Sequence, residues 1–286
     1  MIVNGAAFWV GEYALAQRAT VIGLSDDWVA TDNHAALLLM ASKWLKQKEG
    51  IDLGDGQTQV VMGLPSKSYA EQKKLLANEV VRYLPNAKVK IIPQPNAPFF
   101  QHMFLDSGRP NPERDLATEA WAVVDVGFHT TDMTMMNPGG QFVVDSFDST
   151  VGVSAAAEHL LRALQSSMGL HRLQMDEMDL ILRTGKLKYN GEVIQVENLV
   201  REARGLVTKA IIDKTQQLFG ANAHRLDGIL LAGGGASLVQ NELKAVWKHT
   251  QLINNPRLSI AIGYCRHGSM LNYRSTLLQQ SGLRAA

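Results

Sequence analysis

At 286 residues, 46% hydrophobic and 19% charged, the chain is long enough for one or two domains with real cores, which excludes a disordered or fibrous class. A net charge of +1 gives no global reason to expect nucleic acid or an anionic membrane, and the single Cys265 excludes an internal disulfide framework. The best apolar block, 35–40, is far too short to span a membrane, and the opening Met1-Ile2-Val3-Asn4-Gly5 lacks a leader's basic and apolar regions, so the chain reads as cytoplasmic.

Strands and helices alternate along the sequence, the pattern of an α/β fold. Residues 1–11 read as a short hairpin turning at Asn4-Gly5. A helix is expected over 32–48, capped at Thr31/Asp32, with an apolar face through Ala36, Leu39, Met40 and Trp44 and a stop at Gly50. Residues 58–64 read as a buried strand ending at Pro65; Ser66 and Ser68 stand at cap positions before a helix over 69–84. A strand over 87–92 leads through a proline-rich turn into a short helix near 99–105. The stretch 107–115, with its Gly, two Pro, Asn and charges, is the clearest linker.

Beyond it the pattern restarts. Residues 119–125, 132–136 and 142–147 read as three consecutive strands, and 154–168 as an amphipathic helix. Residues 184–196 tend to strand around Asn190-Gly191, and 197–219 form the longest helix, interrupted only by Gly205. A strand over 228–232 precedes a helix over 237–249. Two βα-rich halves result, each expected to carry a mixed sheet.

Two glycine-anchored stretches carry most of the chemical information. One runs Ala122-Val123-Val124-Asp125-Val126-Gly127-Phe128-His129-Thr130-Thr131-Asp132; the other runs Gly228-Ile229-Leu230-Leu231-Ala232-Gly233-Gly234-Gly235-Ala236-Ser237. Each leads from an apolar strand into a turn where backbone N–H groups can approach an anion. Amides beside a carboxylate suit a magnesium-bound phosphate, and three glycines before a helix suit a nucleotide. Together they read as a split ATP site.

In order along the chain, these motifs resemble the actin superfamily, and within it the bacterial ParM/StbA-like plasmid-segregation actins. Val61-Met62-Gly63-Leu64-Pro65 with Tyr69 resembles a strand before a helix in that group's first domain, and Ile91-Ile92-Pro93-Gln94-Pro95 its first interdomain connection. Asp125-Val126-Gly127 through Thr130 and Asp132 resembles the second phosphate loop, and Leu231-Ala232-Gly233-Gly234-Gly235-Ala236 the adenosine motif. The run Leu182-Arg183-Thr184-Gly185-Lys186, then Gly191 and the long helix also fits, and Pro256 followed by Gly263-Tyr264 and Gly268 resembles the returning C-terminal segment. The resemblance implies an actin-like two-domain ATPase fold with a nucleotide cleft. Its first domain would be 1–118, completed by 260–286, and its second 119–259. No Asp-x-Gly-x-Thr element precedes Phe8-Trp9-Val10-Gly11, so the chain reads as N-terminally shortened or as starting upstream. As given, it would bind nucleotide weakly, discriminate ATP from ADP poorly and turn over little.

By the same resemblance, Asp125 would organise magnesium through water, with Gly127 and Thr130 at the phosphates. Gly233, Gly234, Gly235 and Ala236 would lie at adenosine and phosphate, and Gln94 would orient the attacking water. Each residue also has a plainer reading. Asp125 can accept turn amides, Gly127 can serve a hairpin, Gln94 can bridge the amides around Pro93 and Pro95, Asp132 can hold the turn, and His129 can be a surface or turn histidine, while Phe128 stands where relatives commonly have a small residue. Arg201, Glu202 and Arg204 could reach the base or form a solvated face, and Gly152 and Ser154 could start a helix facing phosphate. The leading expectation is an ATP-binding, slowly hydrolysing filament protein that reaches DNA through an adaptor protein and touches neither nucleic acid nor membrane directly. A non-polymerising scaffold of the same fold is the second. A small-molecule kinase is the third, and Gln94 does not supply the carboxylate base it needs. There is no G-x-x-x-x-G-K-[ST] loop, nucleophile elbow or zinc spacing.

Overall fold

The computed structural model describes residues 1–16, 28–143 and 146–280. They divide into two compact units, Met1–Gln94 with His267–Ala286, and Pro95–Arg266.

The first unit opens with a hairpin of β1 (Ile2–Val3) and β2 (Ala6–Ala7). Asn4 at φ 47° and Gly5 at φ 84° supply the two left-handed positions of a tight primed turn. Helix α1 (Glu12–Ala16) follows. Helix α2 (Asp32–Lys48) starts where the Thr31 hydroxyl accepts the His34 amide at 3.3 Å. Strands β3 (Gln59–Leu64) and β4 (Lys88–Pro93) pair in parallel from Gln59↔Lys88 to Leu64↔Pro93, joined by α3 (Ser66–Tyr83). Val29, Leu38, Leu64, Leu76, Val80 and Leu84 form their core. Helix α3 begins three residues before the expected 69, because Pro65 fixes the turn immediately ahead of it and neither Ser66 nor Ser68 caps by side chain. The expected mixed sheet of this half is instead two separate two-stranded sheets among the described residues, since the β1–β2 hairpin does not join the β3–β4 pair.

The second unit holds a six-stranded sheet. Strand β5 (Trp121–Val126) lies at its centre, antiparallel to β6 (Thr130–Asn137) and parallel to β11 (Gly228–Ala232), which in turn pairs in parallel with β12 (Thr250–Leu252). Short strands β7 (Gln141–Phe142) and β8 (Asp148–Val151) both pair with β6. This replaces the single strand expected over 142–147: the Ser146 hydroxyl accepts the Met135 amide at 2.8 Å, taking a ladder position a strand would have used, and 144–145 lie outside the described residues. Helices α5 (Val153–Met168), α6 (Met178–Thr184), α7 (Glu197–Phe219) and α8 (Ala236–Val246) bury Leu160, Leu164, Ile211 and Phe219 against Val124, Val126, Ile229 and Leu231. Each such side chain contributes roughly 1.5–3 kcal/mol. Strands β9 (Lys186–Tyr189) and β10 (Glu192–Gln195) form a hairpin at Asn190-Gly191.

The 107–115 stretch lies inside this second unit, and the chain passes between units at Gln94–Pro95 instead. The reason is packing: α4 (Ala97–Met103) buries Phe99, packs on β5 and β11, and sends the Gln101 amide to the Asn254 carbonyl at 2.6 Å, so it belongs with the second unit's sheet. Helix α9 (Ser259–Gln280) carries the chain back, the first unit resuming at His267. There Gly268 faces β3, where a side chain would stand 3.2 Å from Val61 Cγ2.

Candidate functional site

The ends of β5 and β11 lie side by side in register, Asp125 opposite Ala232, so the two glycine turns that follow meet. Gly235 donates its amide to the Val126 carbonyl at 2.8 Å, and Gly233 donates to the Pro256 carbonyl at 2.9 Å. Of the sequence-predicted residues, Asp125, Gly127, Thr130, Gly233, Gly234, Gly235 and Ala236 come together here. Gln94 belongs to the other unit, where it opens a short 3-10 turn, Gln94–Asn96, half-buried at the end of β4.

The three glycines are not equivalent. Gly233 has φ 89°, and a side chain there would strike the Val126 carbonyl at 2.3 Å and Asp125 Oδ1 at 2.5 Å. At Gly235 it would strike Val153 Cγ2 at 2.4 Å and Val126 Cγ1 at 2.7 Å. Both are demanded by packing against β5. Only Gly234 looks onto open space, with Arg257 Cγ at 3.9 Å the one neighbour a side chain would meet. Its amide and that of Ser237 make no hydrogen bond among the described residues, while Ala236 and Leu238 donate to Gly233 and Gly235. Two unspent amides at the start of α8 are what an anion needs.

The loop after β5 closes tightly, Gly127 donating to the Thr130 carbonyl at 2.9 Å. Its carbonyls cap α5: Val153 donates to Gly127 and Ser154 to Phe128, and Gly152 sits where any side chain would meet the Phe128 carbonyl at 2.6 Å. The start of α5 is therefore satisfied from within, which corrects its assignment to a phosphate. Unspent at the exposed tip are the amides of Phe128 and His129. The Thr130 hydroxyl donates to Asp132 Oδ2 at 3.3 Å, so its proton is engaged.

Asp125 stands opposite Asp132 across the β5–β6 ladder. Burial first, and the Asp132 charge second, push its carboxyl up to about 7. No cation contributes to that balance. The carboxyl is thus short of positive charge, the condition a divalent cation would relieve. Among the described residues no three His, Cys, Asp or Glu side chains converge on a metal position, so magnesium here would rely on water and phosphate oxygens around Asp125. The Tyr264 phenol on α9 is pushed up by its burial and then by the Asp125 charge, which keeps it a neutral donor.

Beside the glycine turn lies a cavity of about 720 Å³ bounded by α6, α7 and Glu242 of α8. Arg183 links the two: Nη2 donates to the Gly234 carbonyl at 3.0 Å, while Asp179 holds Nε and Nη2 at 2.9–3.1 Å. Arg201 and Arg204 line the cavity from α7, and the buried Arg204 Nε has no partner among the described residues. Gly185 (φ 69°) lets the α6 end approach Glu197, whose Cγ a side chain would meet at 2.8 Å. Sequence reasoning left Arg201 and Arg204 open between a base-facing and a solvated role; the structure puts both on the cavity. It missed Arg183, whose only signal was its place before Thr184-Gly185, and Tyr264, whose signal was its place after Gly263.

Residues 123–245 match the family described as the C-terminal domain of the archaeal actin homologue MreB-like proteins. No curated protein matches the chain. Among solved structures, a 15-stranded ParM filament from Clostridium botulinum is 21% identical, with a TM-score of 0.63 over 85% of this chain and 76% of its own. An archaeal actin homologue, Ta0583, is 17% identical with a TM-score of 0.67 over 84% of this chain and 77% of its own. The same homologue in complex with ADP gives 16% identity and a TM-score of 0.64, over 84% and 78%. At these identities the likeness establishes the fold.

Proposed function

Because this chain has the fold of the actin superfamily, in its ParM-like form, we propose that it binds ATP with magnesium on its second unit and assembles into nucleotide-dependent filaments that move DNA. The observation that carries this reading is the convergence of unspent donors on one site. The amides of Gly234, Ser237, Phe128 and His129 and the cation-poor Asp125 surround the β5 and β11 ends, and the Arg204-lined cavity adjoins them. Triphosphate oxygens would take the amides, and the nucleoside would take the cavity between α6 and α7. Bound magnesium would neutralise phosphate charge, with Asp125 orienting its water shell.

Hydrolysis would be slow. Phosphoryl transfer asks the protein for alignment and charge stabilisation, and an amide such as Gln94 can position a water without acting as a strong base. The ParM filament and the ADP complex among the similar structures support assembly and nucleotide binding as the role. A DNA-bound adaptor protein would connect the filament to its cargo in the cytoplasm, in keeping with the net charge of +1 and with no described helix being long and apolar enough to cross a membrane.

Sedimentation of the full chain with ATP and magnesium tests this. Wild-type protein should pellet only with nucleotide, and Asp125→Ala should stay in the supernatant while keeping its helical circular dichroism. Equal pelleting with and without nucleotide would overturn the reading.

A further inference from the structure

The segment that runs from β12 into α9 is pinned against the glycine turn. Ile253 donates to the Leu231 carbonyl at 3.1 Å, and the Pro256 carbonyl accepts both the Gly233 amide at 2.9 Å and the Ser259 hydroxyl at 2.8 Å. The Asn255 carbonyl accepts the Leu258 amide at 2.9 Å, closing a single 3-10 turn over Pro256–Leu258. Arg257 sits in the middle of that turn, with its backbone held on both sides. Its Cγ is the atom that faces the open side of Gly234, 3.9 Å from where a side chain there would begin.

This side of the turn is accessible. Gly234 is partly exposed and Ser237 is exposed, and these two residues carry the amides left without an acceptor. Arg257 is exposed too, and its guanidinium makes no ion pair or hydrogen bond among the described residues. Arg183 is differently placed, since Asp179 and the Gly234 carbonyl already engage it. A free guanidinium beside two free amides presents donors and no acceptor. Such a set selects an oxyanion, and a guanidinium suits phosphate because two of its N–H groups can hold two oxygens at once. The cavity assigned to the nucleoside adjoins Gly234 through Arg183, so the phosphate that reaches Gly234 is the one nearest the nucleoside.

We propose, resting on the nucleotide site above, that Arg257 binds this nearest phosphate. ATP and ADP have that group in common, so Arg257 sets the affinity for both without distinguishing them. The terminal phosphate is left to the Phe128 and His129 amides on the other loop.

Calorimetric titration of the full chain with ATP and with ADP, each with magnesium, tests it. Arg257→Gln should weaken both nucleotides about tenfold and by the same factor. Arg257→Glu should weaken them further, and Arg257→Lys should fall between wild type and Arg257→Gln, because it keeps the charge and loses the fork. All three should melt close to wild type, since the side chain is exposed. Loss confined to ATP would put the arginine at the terminal phosphate. Equal losses in the Gln, Glu and Lys variants would make it an uncharged contact to the nucleoside, and unchanged affinity would make it a solvated side chain. Each of these results would overturn the assignment while wild-type binding left the nucleotide site standing. Wild type that binds neither nucleotide would overturn the site, and the assignment with it.

Discussion

Asp125 is the residue on which the proposed chemistry turns, and its burial leaves a signature in the protein without nucleotide. Its folded pKa of about 7 lies above the ordinary 3.8. Between those values the folded chain holds a proton that the unfolded chain has released. Its contribution to stability is therefore full below about pH 4 and is lost as pH rises to about 7. Asp125→Asn should flatten that part of the profile in denaturant titrations at pH 5 and pH 8; a slope equal to wild type would show that the carboxyl is not perturbed. The glycines give a second test at this scale. Gly235→Ala should destabilise by about 1–3 kcal/mol, because its methyl group would overlap Val153 and Val126. Gly234→Ala has room and should be close to neutral in thermal melts. The opposite ranking would mean that the turn packs differently.

At the scale of elements, α6 holds the glycine turn through Arg183, and the carbonyl it engages belongs to the same peptide whose amide meets Val126. With both sides of that peptide fixed, the Gly234 amide is aimed in advance. Arg183→Ala should weaken nucleotide binding several-fold while leaving the melting temperature nearly unchanged, since the side chain is partly exposed. Arg183→Lys should not restore it, because an ammonium cannot span Asp179 and the Gly234 carbonyl as a planar fork does. Restoration by lysine would reduce the role to simple charge. Elements such as α2, α7 and β11 were legible in the sequence because a cap, a long amphipathic period or an apolar run bounded by glycines marks them locally. The β7–β8 break was not, because it depends on the Ser146 hydroxyl replacing a ladder bond. Nor was the unit boundary, since 107–115 looks like a linker in composition while tertiary packing of α4 assigns it to the second unit. The site followed the same rule. Glycine turns are visible in sequence, but which glycine faces a ligand and which faces β5 depends on strands about a hundred residues apart.

For the molecule as a whole, the proposed function joins nucleotide binding to self-association, and the two are separable. On the proposed reading, Gln94→Ala should prolong the life of assembled polymer and slow phosphate release without weakening nucleotide affinity, because that reading gives the residue a water-positioning role alone. Loss of affinity in that variant would move Gln94 from the reaction to binding or folding.

In the proposed function, nucleotide binds at the Gly234 turn of the second unit. Calorimetric titration of wild-type chain and Gly234→Val with ATP and magnesium tests it most directly, because Gly234 is the one glycine of the three with space for a side chain. Wild type should bind measurably and only with magnesium, and Gly234→Val should lose that binding, with the two proteins melting at nearly the same temperature. Unchanged affinity in a folded Gly234→Val protein would contradict it.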